Sequence, residues 1–203
     1  DLALQINVNI NRAADVNPIN LLAMALLSTP KHAMDENDLL AQLELSKRIL
    51  NCEPYGPRIT VTEMNAPSMI TYGEEMGVVC RTKHPLGDVL SMQGETAVLQ
   101  SYFRNNVLHL FSAAAWISLC FQNNRRLSRH GLVHLGLNVY PFMKSELFLP
   151  WSDIEFAERL NKTIDLFIRE GFLSASKDDG EMLYRAPGQT DEVFQLRTIA
   201  HSM

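Results

Sequence analysis

Two helix-stopping glycines set 94 residues apart constrain this chain's fold more than any other feature. Gly77 and Gly171 each follow a run with helical periodicity and precede a short apolar segment, Val78-Val79-Cys80 in one case and Phe172-Leu173 in the other. Glycine enters the left-handed backbone region without a Cβ clash, so each reads as a helix stop followed by a strand. Asp35 and Arg129 share the same 94-residue offset, and the turn glycines Gly87 and Gly180 lie 93 apart. A constant offset with little residue identity reads as a structural repeat.

Local signals fill in both copies. Asn17 and Pro18 stand as N-cap and N1 of a helix carrying Leu21, Leu22, Ala25 and Leu26, and Pro30 closes it. Asp35 caps a second helix with Leu39, Leu40, Leu43 and Leu50 at helical spacing, and Asn65 with Pro67 opens a third. His84-Pro85-Leu86-Gly87 then turns a β-hairpin. In the second half a helical run from Glu95 to Gln122 ends near Asn123-Asn124. Ser128 caps a helix that Pro141 is expected to kink. Ser152-Asp153-Ile154-Glu155 is a capping box whose helix buries Ile154, Ala157, Leu160, Ile164 and Ile168, and Lys177-Asp178-Asp179-Gly180 turns a second hairpin. The expectation is a mainly α fold of two tandem winged-helix-like units, each ending in a small β-hairpin. Gln93-Gly94 divides residues 1–94 from residues 95–203, the second unit carrying a cut-short helical tail from Asp191 to Met203.

Charge and cysteine usage then narrow function. Eighteen Lys and Arg against twenty-three Asp and Glu give a net charge of -5, which argues against a surface devoted to nucleic-acid phosphates. Cys52, Cys80 and Cys120 are widely spaced and odd in number, so neither a disulfide framework nor a metal site is signalled. The longest apolar stretch, Val107 to Phe121, is short of the ~20 residues that a membrane-spanning helix needs. No zinc-hydrolase, phosphate-loop or nucleophile-elbow motif occurs, and no cofactor is implied.

Two clusters stand out. Tyr102, Arg104, Asn105, Asn106 and His109 bring polarity into an apolar helical run, and at four-residue spacing Asn105 and His109 share a helix face. They read either as a hydrogen-bonded buried network or as an interdomain or ligand contact through Arg104. Arg125, Arg126 and Arg129 form a basic cluster, read either as a complement to a helix C-terminal dipole or as a patch for anionic lipid.

The blocks Tyr102-Phe103-Arg104-Asn105-Asn106-Val107-Leu108-His109 and Val139-Tyr140-Pro141-Phe142-Met143-Lys144-Ser145-Glu146-Leu147-Phe148-Leu149-Pro150-Trp151 resemble the C-terminal region of bacterial membrane-bound glycerol-3-phosphate 1-O-acyltransferases of the PlsB type. Val8 to Leu21 agrees, and the likeness runs to about Leu173. The resemblance implies transfer of an acyl group from acyl-CoA or acyl-ACP to glycerol 3-phosphate, through a His-x-x-x-x-Asp pair in which His takes the hydroxyl proton. That pair is absent. Five residues after His32, His84, His109, His130 and His134 stand Asn37, Val89, Ala114, Leu135 and Val139. Catalysis and both substrates are therefore expected in an acyltransferase domain N-terminal to Asp1 of the parent chain. The implied partners are that domain and the cytoplasmic face of the bacterial inner membrane, touched peripherally by an otherwise soluble segment, with no nucleic acid. The alternative is a free tandem winged-helix adaptor for protein or nucleic acid.

Overall fold

The computed structural model describes residues 2–122, 125–176 and 181–186, and these are mainly helical with small sheets. Leu2–Asn11 forms α1, none of whose residues is buried. Asp15–Val16 (β1) pairs in parallel with Thr60–Val61 (β3). Between them Asn17 opens α2 (Pro18–Leu27): its side chain accepts from the Asn20 amide at 3.1 Å, while the Asn20 side chain accepts from the Asn17 amide at 2.9 Å. The reciprocal cap satisfies two helix-end donors, and the largely apolar α2 is then buried along nearly its whole length. Around it pack α3 (Glu36–Cys52), α4 (Ala66–Glu75) and α5 (Gly94–Asn105). Although α5 follows Gly94, it lies against α2 of the first half.

Each half carries a three-stranded antiparallel sheet with the same strand order. Ala33–Asp35 (β2) borders Val89–Ser91 (β5), which borders Cys80–Thr82 (β4). Arg126–Ser128 (β6) borders Met182–Arg185 (β8), which borders Leu173–Ser176 (β7). The junctions correspond down to single bonds. The Glu36 amide donates to the Asp88 carbonyl at 2.9 Å, and the Arg129 amide donates to the Glu181 carbonyl at 3.1 Å. Arg81 draws Glu36 (2.7 Å), Glu74 (2.8 Å) and Asp88 (3.1 Å) together in the first half. In the second, Arg129 itself holds Glu181 (2.8 Å) and Asp165 (2.6 Å). The equivalent positions are Glu36 and Arg129, each the first residue of its helix and one residue off the Asp35–Arg129 correspondence expected from sequence, and they carry opposite charge.

The run from Glu95 to Gln122 is not one helix. It breaks after Asn105, passes through the 3₁₀ turn Leu108–Phe111 and resumes as α6 (Ser112–Cys120). Val107 is fully buried and His109 is turned to a carbonyl of the α1 end, and these tertiary contacts outweigh an uninterrupted helical propensity. The long α7 (Arg129–Leu147) contains Pro141, and α8 (Asp153–Arg169) starts on the Ser152–Glu155 capping box. Gly136 lets α7 approach its neighbours closely, since a Cβ there would sit 2.7 Å from Leu160 Cδ1 and 2.9 Å from Trp116 Nε1. Ile154, expected in the buried stripe of α8, is instead 74% exposed. It lies in the first turn, ahead of the face formed by Phe156, Leu160, Thr163, Ile164 and Phe167. The core is continuous across both halves. Arg48–Glu170 (2.9 Å) and Lys162–Glu53 (2.9 Å) add surface ties between α3 and α8. The expected turns at Asn123-Asn124 and Lys177–Gly180 and the tail from Asp191 to Met203 lie outside the described residues.

Candidate functional site

The polar segment singled out from sequence borders a cleft of about 590 Å³. Asn7 and Asn11 of α1, Asn17 and Asn20 at the head of α2, and Asn105, Asn106 and His109 line it. Two of these asparagines stitch distant segments: Asn20 Nδ2 donates to the Phe103 carbonyl at 2.7 Å, and Asn11 Nδ2 to the Leu147 carbonyl at 2.7 Å. His109 is 3% exposed, with Nε2 3.1 Å from the Asn11 carbonyl. A carbonyl only accepts, so Nε2 carries the hydrogen and Nδ1 is bare. Burial pushes the imidazole down to about 4, and the bond to Asn11 offsets only part of that. The ring is neutral near pH 7 and is held by a carbonyl rather than by a carboxylate. Asp15 and Glu146 also line the cleft; the Asp15 carboxylate accepts from the Thr60 hydroxyl, and among the described residues the hydrogen bond of the His109 ring goes to the Asn11 carbonyl rather than to a carboxylate.

The five sequence candidates do not make one buried network. Helix α5 ends at Asn105 and the 3₁₀ turn begins at Leu108, so the four-residue helical spacing of Asn105 and His109 is broken: Asn105 is exposed and His109 buried. Arg104 Nε and Nη2 donate to Asn105 Oδ1 at 3.2 and 3.1 Å on the surface, Tyr102 is 69% exposed, and Asn106 is exposed at the helix C-cap. Only His109 is interior.

A second constellation, unforeseen from sequence, joins the two halves. The guanidinium carbon of Arg159 lies 4.0 Å from the centre of the Trp151 ring and 5.9 Å from that of Tyr55. Its nitrogens donate to the carbonyls of Glu53 (3.4 Å), Pro54 (3.0 Å) and Tyr55 (3.3 Å). These carbonyls follow the last residue of α3, so a cation from α8 ties down the chain where it leaves a helix of the other half. Tyr55 meets Trp151 at 4.7 Å and His109 at 4.9 Å, edge to face, and burial raises its phenol pKa. The Trp151 carbonyl accepts from Tyr140 Oη at 2.7 Å and Lys144 Nζ at 2.6 Å. Trp151 belonged to a distinctive sequence block, but Arg159 gave no signal beyond one charge on an amphipathic helix.

The basic cluster divides. Arg129 is committed to Glu181 and Asp165 at the start of α7, not at a helix C-terminus. Arg126 lies 5.6 Å from the centre of the Tyr184 ring, and Arg125 and Arg126 are both exposed. Among the described residues no three His, Cys, Asp or Glu converge as metal ligands, and no helix is long and apolar enough to cross a membrane.

Residues 1–203 match the family described as glycerol-3-phosphate acyltransferase C-terminal region. The chain is 63% identical over 203 residues to a glycerol-3-phosphate acyltransferase of Xanthomonas campestris pv. campestris and 56% identical over 203 residues to one of Xylella fastidiosa strain M12. It is 34% identical over 191 residues to one of Pseudomonas fluorescens. All of the chain is covered in the first two cases and 94% in the third, against 23%, 24% and 22% of those relatives. The chain therefore spans about a quarter of the length of the curated relatives it matches.

Proposed function

Because the chain belongs to the glycerol-3-phosphate acyltransferase C-terminal region family, we propose that it is the noncatalytic C-terminal part of such an enzyme, docked on the region that performs acyl transfer. Two winged-helix-like units, divided near Gly94, form the scaffold, and α1 is its docking element. The supporting observation is α1 itself: ten residues, none buried, with Leu2 at 72%, Ile6 at 49% and Ile10 at 63% exposure. Contiguous apolar surface of that kind marks a protein contact. His109 is held by the Asn11 carbonyl, so this histidine is not set up as the general base of acyl transfer. The exposed Arg125 and Arg126 assist peripheral seating on the cytoplasmic face of the inner membrane, each contributing ~1 kcal/mol towards an acidic leaflet. A nucleic-acid adaptor is disfavoured, because Arg159 and Lys162 of α8 are already engaged with the end of α3.

The test uses the full-length enzyme carrying Ile6→Glu and Ile10→Glu, with Leu119→Glu, on an exposed face of α6, as control. The α1 double variant is expected to release the C-terminal region under mild proteolysis and to lose acyl transfer to glycerol 3-phosphate, while the control retains both. Unchanged proteolysis and turnover in the double variant would remove α1 from the interface. Turnover by residues 1–203 alone would overturn the noncatalytic reading.

A further inference from the structure

We propose that the groove between α1 and the C-terminal half of α7 binds a single-chain acyl ester carrying a phosphate monoester, the chemistry of a 1-acyl glycerol phosphate. The groove holds about 960 Å³, at the upper end of small-molecule sites. Its walls are largely apolar, with Leu4 and Val8 from α1, Pro141 from α7 and Phe148, which ends α7 with φ at 50°, and the uncharged Gln5, Asn7 and Ser145 also line it. Among the described residues Arg12 and Lys144 are the only ionisable ones lining it, and no carboxylate does, in a chain whose net charge is -5. The Lys144 ammonium donates to the Trp151 carbonyl at 2.6 Å and lies 5.5 Å from the centre of the Tyr140 ring, and its other two hydrogens have no hydrogen-bond acceptor among these contacts. Among the described residues the Arg12 guanidinium makes no ion pair within 4 Å, and it also borders the neighbouring cleft that Glu53, Glu155 and Glu158 line.

An apolar slot with two cations and no anion complements a molecule whose tail is hydrocarbon and whose head is a multiply charged oxyanion. Concavity selects a single molecule over a bilayer, which is met by a convex apolar face. Phosphate suits the site better than a carboxylate because its charge near -2 matches two cations. The inference rests on the functional reading above, since acylation of glycerol 3-phosphate is the reaction class that yields such an ester. The groove then gives that product a place to reside outside the centre where it forms.

The experiment uses full-length enzyme in detergent and a 1-acyl glycerol phosphate bearing a photoactivatable diazirine in mid-chain, with labelled peptides mapped by mass spectrometry. Saturable labelling is expected on peptides containing Leu4, Val8 and Phe148. Unlabelled palmitoyl glycerol phosphate should compete, and monopalmitoylglycerol should not. Arg12→Ala should lower labelling about tenfold through loss of one charge-assisted contact. Leu4→Asp, which puts a carboxylate into the apolar wall, should abolish it. Labelling confined to other regions, equal competition by the neutral lipid, or retention in both variants overturns the inference. An enzyme that turns over but leaves the groove unlabelled removes this proposal alone, whereas an enzyme unable to acylate glycerol 3-phosphate removes the functional reading beneath it.

Discussion

The buried His109 makes stability depend on pH in a window that can be worked out beforehand. Its ordinary value of 6.5 applies in the unfolded chain, and burial lowers it to about 4 in the folded one. Between those values the unfolded state binds the extra proton, so stability is complete above pH ~6.5 and declines as pH falls towards 4. A tenfold difference in proton affinity between the two states is worth ~1.4 kcal/mol, so this one imidazole costs the fold about 2 kcal/mol by pH 5 and about 3 kcal/mol by pH 4. Against a typical domain stability of ~5–15 kcal/mol that is a large fraction. Urea unfolding followed by tryptophan fluorescence at pH 7, 6, 5 and 4 measures it, with His109→Gln as reference. Glutamine keeps a donor for the Asn11 carbonyl and has no proton to gain, so carboxylate effects common to both proteins cancel in the comparison. The wild-type chain should lose about 2 kcal/mol more than the variant between pH 7 and pH 5. Parallel pH dependence in the two proteins, or a His109 ring titrating near 6.5 by NMR, would refute the assignment of a desolvated neutral imidazole.

Two further outcomes follow from the same geometry. Arg159→Lys should destabilise by about 2–3 kcal/mol in chemical denaturation, because an ammonium cannot lie flat on Trp151 while serving three carbonyls; a cost under about 0.5 kcal/mol would show that charge alone closes the α3 end. Arg104→Ala should change the unfolding free energy by no more than about 0.5 kcal/mol, since its hydrogen bonds end on an exposed neighbour; a loss of about 1 kcal/mol or more in the same assay would place Arg104 in a structural network after all.

What the sequence made legible was local. Asn17, Asp35, Asn65, Ser128 and Ser152 cap helices through bonds spanning two or three residues, so the residue types alone announce them. Gly77 and Gly171 have φ of 67° and 79°, the conformation their position demanded. What stayed hidden was decided by partners about a hundred residues away. Nothing between Glu95 and Gln122 breaks a helix by propensity, yet His109 reaches Asn11 and the helix yields. In α1 the apolar residues alternate from Leu2 to Ile10, a period of two that no helix can bury on one side. The Arg159 clamp joins α8 to carbonyls that follow α3, and carbonyls carry no residue-specific signature.

The reversed charges at the two strand–helix junctions bear on how a chain with two like halves avoids crossing them. Glu36 and Arg129 occupy the same place beside their own hairpins, each amide bonded to the carbonyl of Asp88 or Glu181. Were β2 to seek the wrong hairpin during folding, Glu36 would land beside Glu181 with Arg81 left behind on the abandoned strand, two carboxylates with no cation between them. Two sheets of the same strand order invite swapped pairing, and a swap of β2 would bring like charges together at the junction.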